Sequence, residues 1–253
     1  MVLSAFPATF GVVVTVGLAV GAVAARALTP LAGAVAAAFG SVIVVLVGFP
    51  FLALLILFVV ASVLATRFRI DEKRSKHVQE GVAGERGISN VVAHIVLPTA
   101  LAIGGGWVPP VVPTPALAVL YASALAFGAA DTFASELGVL AGRARSILTL
   151  RPVAPGTNGG VSAVGEAWGF VGAGLTAIVG LGLFRLFGTP LPASGLFLGT
   201  VAISGFLGCQ VDSVLGEVLE NRGLLTKGST NFLGMLAAIG VAAAVLAIAG
   251  VGV

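Results

Sequence analysis

The sequence predicts an all-α fold: a polytopic transmembrane bundle of about eight helices (seven to nine), with its working surface at the cytoplasmic face. Three observations predict it. Charged residues make up 9% of the 253 residues and hydrophobic ones 58%, whereas a soluble domain is about a quarter charged. The apolar residues come in unbroken runs of about 20, the length that crosses a hydrocarbon core as a helix. The 36 glycines suit helices that pack closely in lipid, where small residues let backbones approach. A membrane β-barrel would need period-two alternation, and the runs do not alternate.

Eight apolar segments follow in order, at about 8–25, 28–47, 49–66, 91–108, 114–130, 163–187, 193–211 and 232–252. The opening stretch MVLSAFPATF has no basic region and leads into a long run, so no cleavable signal peptide is expected. Segments two and three are parted by GFP, Gly48 to Pro50, and segments four and five by WVPPVVPTP, Trp107 to Pro115. Proline cannot continue a helix and fits such tight turns. Segments two and three could also form one bent hairpin, hence the range of seven to nine. No polar stretch is long enough to fold separately, so residues 1–253 read as a single transmembrane domain, with 1–66 free of motifs and 80–235 as the motif-bearing core.

Charge sets the orientation. When the loops are numbered alternately, twelve of the thirteen Lys and Arg residues fall on one side and only Arg185 on the other. The positive-inside rule makes the basic side cytoplasmic and puts both termini outside, in the cell membrane. The net charge of +3 is explained by this topology, and no nucleic-acid partner is expected. The single cysteine, Cys209, excludes an intrachain disulfide, and two histidines, His77 and His94, are too few for a zinc site of the usual kind.

The polar residues are equally one-sided, in three stretches: 67–90, 131–162 and 209–231. AADTFASEL, Ala129 to Leu137, is echoed by CQVDSVLGEVL, Cys209 to Leu219. Asp131 matches Asp212, Thr132 matches Ser213, and Glu136 matches Glu217. Each set ends an apolar segment running inward, as a pseudo-symmetric pair of elements would. Residues five apart on a helix lie about 140° apart, so Asp131 and Glu136 do not share a face. Asp131 and Asp212 are expected to face each other across the bundle, with the glutamates on the rim, completing a metal shell or paired with arginines. Two facing carboxylates need a cation or proton between them. Mg2+ suits, because it takes one or two carboxylates and keeps its remaining positions for water and phosphate oxygens.

PGTNGGVS, Pro155 to Ser162, sits between two of these segments. Gly156, Gly159 and Gly160, with Thr157 and Asn158 among them, could bring backbone amides close to an anion. A helix is expected to start near Ser162, which would add its N-terminus to a phosphate cradle. The stretch matches neither GxxxxGK[ST] nor GxGxxG. In the third stretch, Arg67 to Lys76 read as a solvated, headgroup-facing segment. Arg86, just before a membrane segment that Asn90 begins, could hold a phosphate through its planar guanidinium. His94 lies on the same helix face as Asn90. Glu166, four residues after Ser162, could support the glycine loop. Lys227 and Asn231, in KGSTN, could complete the site.

ADTFASELG, PGTNGGVS and VDSVLGE, with an arginine near GERGISN, resemble in order and spacing an integral-membrane family that includes the plant phytyl-phosphate kinase of the vitamin E pathway. The resemblance covers about residues 80 to 235. In that pattern a Gln precedes the fourth segment and an Asn follows four residues later; here Asn90 and His94 stand there. The resemblance implies phosphoryl transfer from a nucleoside triphosphate to an isoprenyl monophosphate. A more distant similarity to CTP-using polyprenol kinases and phosphatidate cytidylyltransferase implies Mg2+ and makes CTP a possible donor. On this reading Asp131 and Asp212, helped by Glu136 and Glu217, hold Mg2+. Gly156 to Gly160, Ser162, Asn90 and Asn231 bind the co-substrate, and Arg86 and Lys227 neutralise developing charge. A nucleotidyltransferase acting on a lipid phosphate would share these residues. An ion-coupled transporter is the alternative outside enzymes, although it would centre its polar groups nearer the midplane.

Overall fold

Why the chain breaks where it does is visible at the helix ends of the computed structural model, which describes residues 8–79, 81, 84–107, 111–112 and 114–253. Helix α1 spans Ala8–Ala24 and α2 spans Pro30–Val47. Thr29 caps α2 by accepting the amide of Ala32, and Pro30 stands at its first turn, where its missing N–H costs nothing. Gly48, at φ 91°, turns the chain directly into α3, Phe49–Arg67. The positive φ needed there is open to glycine at no steric cost. A short amphipathic helix, α4, Ile70–Ser75, follows outside the apolar spans. Its Glu72 carboxyl is held below the usual carboxylate range, chiefly by the hydrogen bond from Lys76.

Helix α5 spans Ile88–Gly106 and α6 spans Thr114–Gly138, continued by a 3-10 turn, Val139–Ala141. Residues 108–110 and 113 of the expected proline turn lie outside the described residues. Then come α7, Ala163–Leu186, and α8, Ser194–Leu215, which passes into a π turn at Gly216–Glu220. Helix α9 is Lys227–Ile248, opened by a capping box between Thr226 and Ser229. Among the described residues seven helices are long and apolar enough to cross a membrane. With the shorter α1, the eight apolar helices match the eight predicted segments.

Three boundaries beside the polar stretches differ by four residues or more. The fifth segment was expected to end at 130, the seventh at 211 and the last to begin at 232, but α6 runs on to Gly138, α8 runs on to Leu215 and α9 starts at Lys227. Hydropathy stops at the first polar residue. The helices do not, because Asp131, Thr132 and Glu136 on α6, Asp212 on α8, and Thr230 and Asn231 on α9 are buried against protein.

Helix α6 is the axis of the bundle. Every residue from Ala116 to Thr132 is buried, packed by α3, α5, α7, α8 and α9. Small residues make this possible. A Cβ built on Gly172 of α7 would lie 2.7 Å from the Ala129 carbonyl oxygen. One built on Gly205 of α8 would lie 2.6 Å from Ala126 Cβ. Helices α1 and α2 form an outer pair leaning on α5 through α2.

The stretch between α6 and α7 holds what the sequence did not suggest, a three-stranded antiparallel sheet. Strands β1 (Ala144–Ser146), β2 (Pro152–Val153) and β3 (Gly160–Val161) lie in the order β2-β1-β3. The strands are two or three residues long, too short for an alternation pattern to show.

Candidate functional site

One end of the bundle gathers the three polar stretches. The C-terminal ends of α6 and α8, the start of α7 and the start of α9 surround a polar pocket of about 130 Å³. Asp131 on α6 and Asp212 on α8 both line it, as do Gly156, Thr157, Asn158, Gly159, Gly160 and Ser162. Lys227 and Glu166 line it as well.

Each side chain is positioned for a physical reason. Asp131 and Asp212 are 8% exposed, shielded but open to the pocket. Asn231 is buried beside Asp212, and the acceptors around its amide orient Nδ2 to donate to Asp212 Oδ1 (3.2 Å) and to the Lys227 carbonyl (3.1 Å). Asn231 therefore fixes a carboxylate and does not itself line the pocket. Ser162 is the N-cap of α7, accepting the Gly165 amide at 3.0 Å, as the helix start predicted near it requires. Lys227 begins α9, where a cation opposes the helix dipole. A helix would not choose that residue there for its own stability. Lys227 and the N-termini of α7 and α9 bring positive charge to the pocket, while Asp131, Asp212, Glu166 and Glu220 bring carboxylates to it.

The glycine loop is partly committed. The Thr157 amide donates to the Ala154 carbonyl (3.2 Å) and the Gly160 amide to the Thr157 carbonyl (2.8 Å). These two close the turn and are not offered to a ligand. Gly156 and Gly159 have φ of 84° and 76°, which permits the turn. A Cβ on Gly159 would lie 2.9 Å from Glu217 Cα, so the loop sits hard against the π turn. The Asn221 side-chain amide also donates to the Asn158 carbonyl at 3.1 Å.

Besides Asn231, four residues expected at the site are not on the pocket wall. Glu136 accepts from Lys73 Nζ at 2.7 Å, and Lys73 has no exposed surface at all. This also corrects the reading of Arg67 to Lys76 as wholly solvated, since Lys73 donates in addition to the Ala65 and Thr66 carbonyls (2.8 and 3.0 Å). Glu217 accepts from Ser146 Oγ (2.6 Å) and the Leu148 amide (3.3 Å), holding the small sheet against α8. Both glutamates leave the pocket because five helical positions turn them away from their aspartates. Arg86 is buried and donates to Asn90 Oδ1 (3.0 Å), Thr66 Oγ1 (3.2 Å) and Thr132 Oγ1 (3.4 Å). Arg86 and Asn90 line a neighbouring apolar cavity instead. Thr132, next to Asp131, joins the two.

Glu220 and Ser135 line the pocket and were not singled out from the sequence. Glu220 accepts from Thr230 Oγ1 at 3.2 Å. Its signal was faint, an acid three residues after Glu217. The π turn, a feature frequent at functional sites, gives Glu217 to the sheet and Glu220 to the pocket. Gln210, which donates to Glu166 Oε2 at 2.8 Å, was also missed. The described residues form no cluster of three or more His, Cys, Asp or Glu suited to a metal. A pair of carboxylates is nevertheless the protein share typical of Mg2+ bound together with phosphates, so the donor set fits that ion better than zinc or calcium.

Fold and pocket define a class: a multi-pass helical membrane protein with a shielded polar pocket at one end of the bundle. The chain belongs to the family described as Integral membrane protein DUF92, whose model matches residues 13–250. It is 30% identical over 199 residues to an uncharacterized membrane protein of Methanocaldococcus jannaschii, covering 77% of this chain and 75% of that one. An uncharacterized membrane protein of Synechocystis is 32% identical over 205 residues, covering 76% and 74%. Protein PGR of Arabidopsis thaliana is 30% identical over 195 residues, covering 70% of this chain and 66% of its own. No solved structure matches.

Proposed function

We propose that this protein is a Mg2+-dependent membrane kinase. It transfers a phosphoryl group from a nucleoside triphosphate, with CTP one possible donor, to an isoprenyl monophosphate such as phytyl or geranylgeranyl phosphate. The observation that carries this reading is the meeting of Asp131 and Asp212, from two helices, with the glycine loop and Lys227 in one pocket. Phosphoryl transfer asks a protein for positioning and charge neutralisation more than covalent help.

In this reading an oxygen of the acceptor monophosphate attacks the terminal phosphorus of the donor. The bond from that phosphorus to the bridging oxygen breaks, and the nucleoside diphosphate leaves with the electron pair. The acceptor is already an anion, so no general base is needed. Bound Mg2+ would neutralise phosphate charge, held by Asp131 and Asp212, with Asn231 keeping Asp212 oriented. Lys227 and the N-termini of α7 and α9 draw the phosphates into the pocket. The uncommitted loop amides at Gly156, Asn158 and Gly159 complete the cradle. Arg86 acts from the neighbouring cavity, on the acceptor side. The basic end of the bundle faces the cytoplasm, where nucleotides are, and both termini lie outside.

The test is an incubation of purified protein with geranylgeranyl monophosphate, Mg2+ and each nucleoside triphosphate, read by mass spectrometry. A lipid diphosphate is the expected product. Asp131→Asn and Asp212→Asn, folded by melting temperature, should lower turnover on the order of a hundredfold or more. A nucleotide-linked lipid would move the protein to the nucleotidyltransferases. No product with any nucleotide would overturn the kinase reading and favour an ion-coupled transporter.

A further inference from the structure

The larger cavity of the molecule is not the polar pocket. It lies between α1, α2, α3 and α5, measures about 410 Å³ and is lined almost wholly by apolar side chains. Along α3 it reaches from Leu64 to Leu52, about 18 Å at the α-helical rise. Its deep end is closed by Thr15, Gly40 and Leu52, and Ala22 and Ala36 flank its middle. Helix α1 packs on α2 and barely touches α3, so the cavity opens sideways between α1 and α3. Leu18, Val60 and Leu64 line it while being 49%, 47% and 65% exposed.

The inner end has a different character. Arg86, Asn90 and His94 close it. The Arg86 guanidinium reaches Thr132, the neighbour of Asp131. His94 Nδ1 faces the Asn90 carbonyl at 2.8 Å, and its buried Nε2 has no hydrogen-bond partner among the described residues. An apolar channel that opens to lipid at its side and ends on a buried cation beside the polar pocket is matched by one kind of occupant: a hydrocarbon tail carrying an anionic head.

We propose that the α1–α2–α3–α5 cavity is the tail site for the single hydrocarbon chain of the lipid monophosphate acceptor. The lipid enters between α1 and α3 and lies with its phosphate at Arg86 and its far end against Leu52 and Gly40. The N-terminal helices, which carry no polar motif, are then the part of the protein that measures the tail. This rests on the lipid-phosphate acceptor of the kinase reading, but it is tested by binding without nucleotide, so the two can fail separately.

The experiment is native mass spectrometry of the full chain with geranylgeranyl monophosphate, geranyl monophosphate, inorganic phosphate or phosphatidate as probe. Ala36→Phe fills the middle of the cavity, whereas Ala38→Phe, two positions along on the exposed side of α2, leaves it open. Ala36→Phe should weaken geranylgeranyl monophosphate binding about tenfold or more, from the overpacking of a filled site. Geranyl monophosphate should be less affected, and Ala38→Phe should change neither. Inorganic phosphate and phosphatidate should bind the wild type weakly. Unchanged geranylgeranyl monophosphate binding to folded Ala36→Phe would overturn the proposal, as would phosphatidate binding that matches it. If Ala36→Phe does not fold, a geranylgeranyl monophosphate with a terminal photoreactive group decides on the wild type. Crosslinks to peptides of α2 and α3 near Gly40 and Leu52 support the site, and crosslinks confined to α7 or α8 overturn it.

Discussion

At Lys73 a cation with no exposed surface is held by two main-chain carbonyls and the Glu136 carboxylate. All three ammonium donors are used, which is what makes such burial tolerable. Removing one partner leaves the other charge stranded, a loss of about 3–5 kcal/mol. Lys73→Met should therefore lower the melting temperature in detergent sharply, and Glu136→Leu added to it should restore most of the loss. A double variant no better than the single would show that the pair is not the cause. The echo between the two Asp/Glu stretches has its explanation at this scale. Asp131 and Asp212 enter the pocket, while Glu136 and Glu217 turn outward and each fastens a polar segment to its helix. The sequence showed that the acids are paired, and helical geometry told their faces apart. It did not show that Lys73 was the partner of Glu136, because a lysine within a mixed-charge run looks solvated until the tertiary contact exists.

Among the elements, α6 and α7 show how close packing depends on absent side chains. Gly172 and Gly174 stand two apart on α7. A Cβ at Gly172 meets the backbone of Ala129, and one at Gly174 meets nothing within 4 Å. Gly172→Val should cost about 1–3 kcal/mol or more, because the opposing atoms are main chain and cannot rotate away. It should also disturb Asp131, half a turn further along α6. Gly174→Val should be near neutral. Thermal melting of both variants checks this, and equal melting points would refute it. All eight apolar helices were legible in the sequence, because long uninterrupted runs are the strongest signal a membrane chain carries. The sheet of β1, β2 and β3 and the π turn were not. Both are held by contacts distant in sequence, Ser146 to Glu217 and Asn221 to Asn158, and no local pattern announces them.

The molecule as a whole has one polar end. The sheet, the glycine loop and α4 gather there, while the opposite end offers turns such as the one where Arg185 donates to Ser194. Cysteine labelling tests which end faces inward. With Cys209 replaced by Ala, Leu148→Cys should react with an impermeant reagent only in opened cells, and Ala193→Cys in intact cells. The reverse pattern would invert the proposed topology. The candidate pocket was legible to the extent that its residues are polar in an apolar chain. Asp131, Asp212, Lys227 and the glycine loop stood out for that reason. Arg86 and Asn90 stood out too, but their sharing of a wall with an apolar cavity is a fact of packing. A further consequence follows from the burial of α6 along nearly its whole length. Its span is no more apolar than that of α8 and less so than that of α3, and unlike theirs its permanent surroundings are almost wholly other helices. Such a segment is a poor candidate to leave the insertion machinery for lipid by itself. The growing chain must keep α6 sheltered until α7 and α8 have been synthesised to cover it. A chain stopped at Ser162 should accordingly be cleared by membrane proteases far faster than one stopped after α8, a difference that pulse-chase labelling would measure.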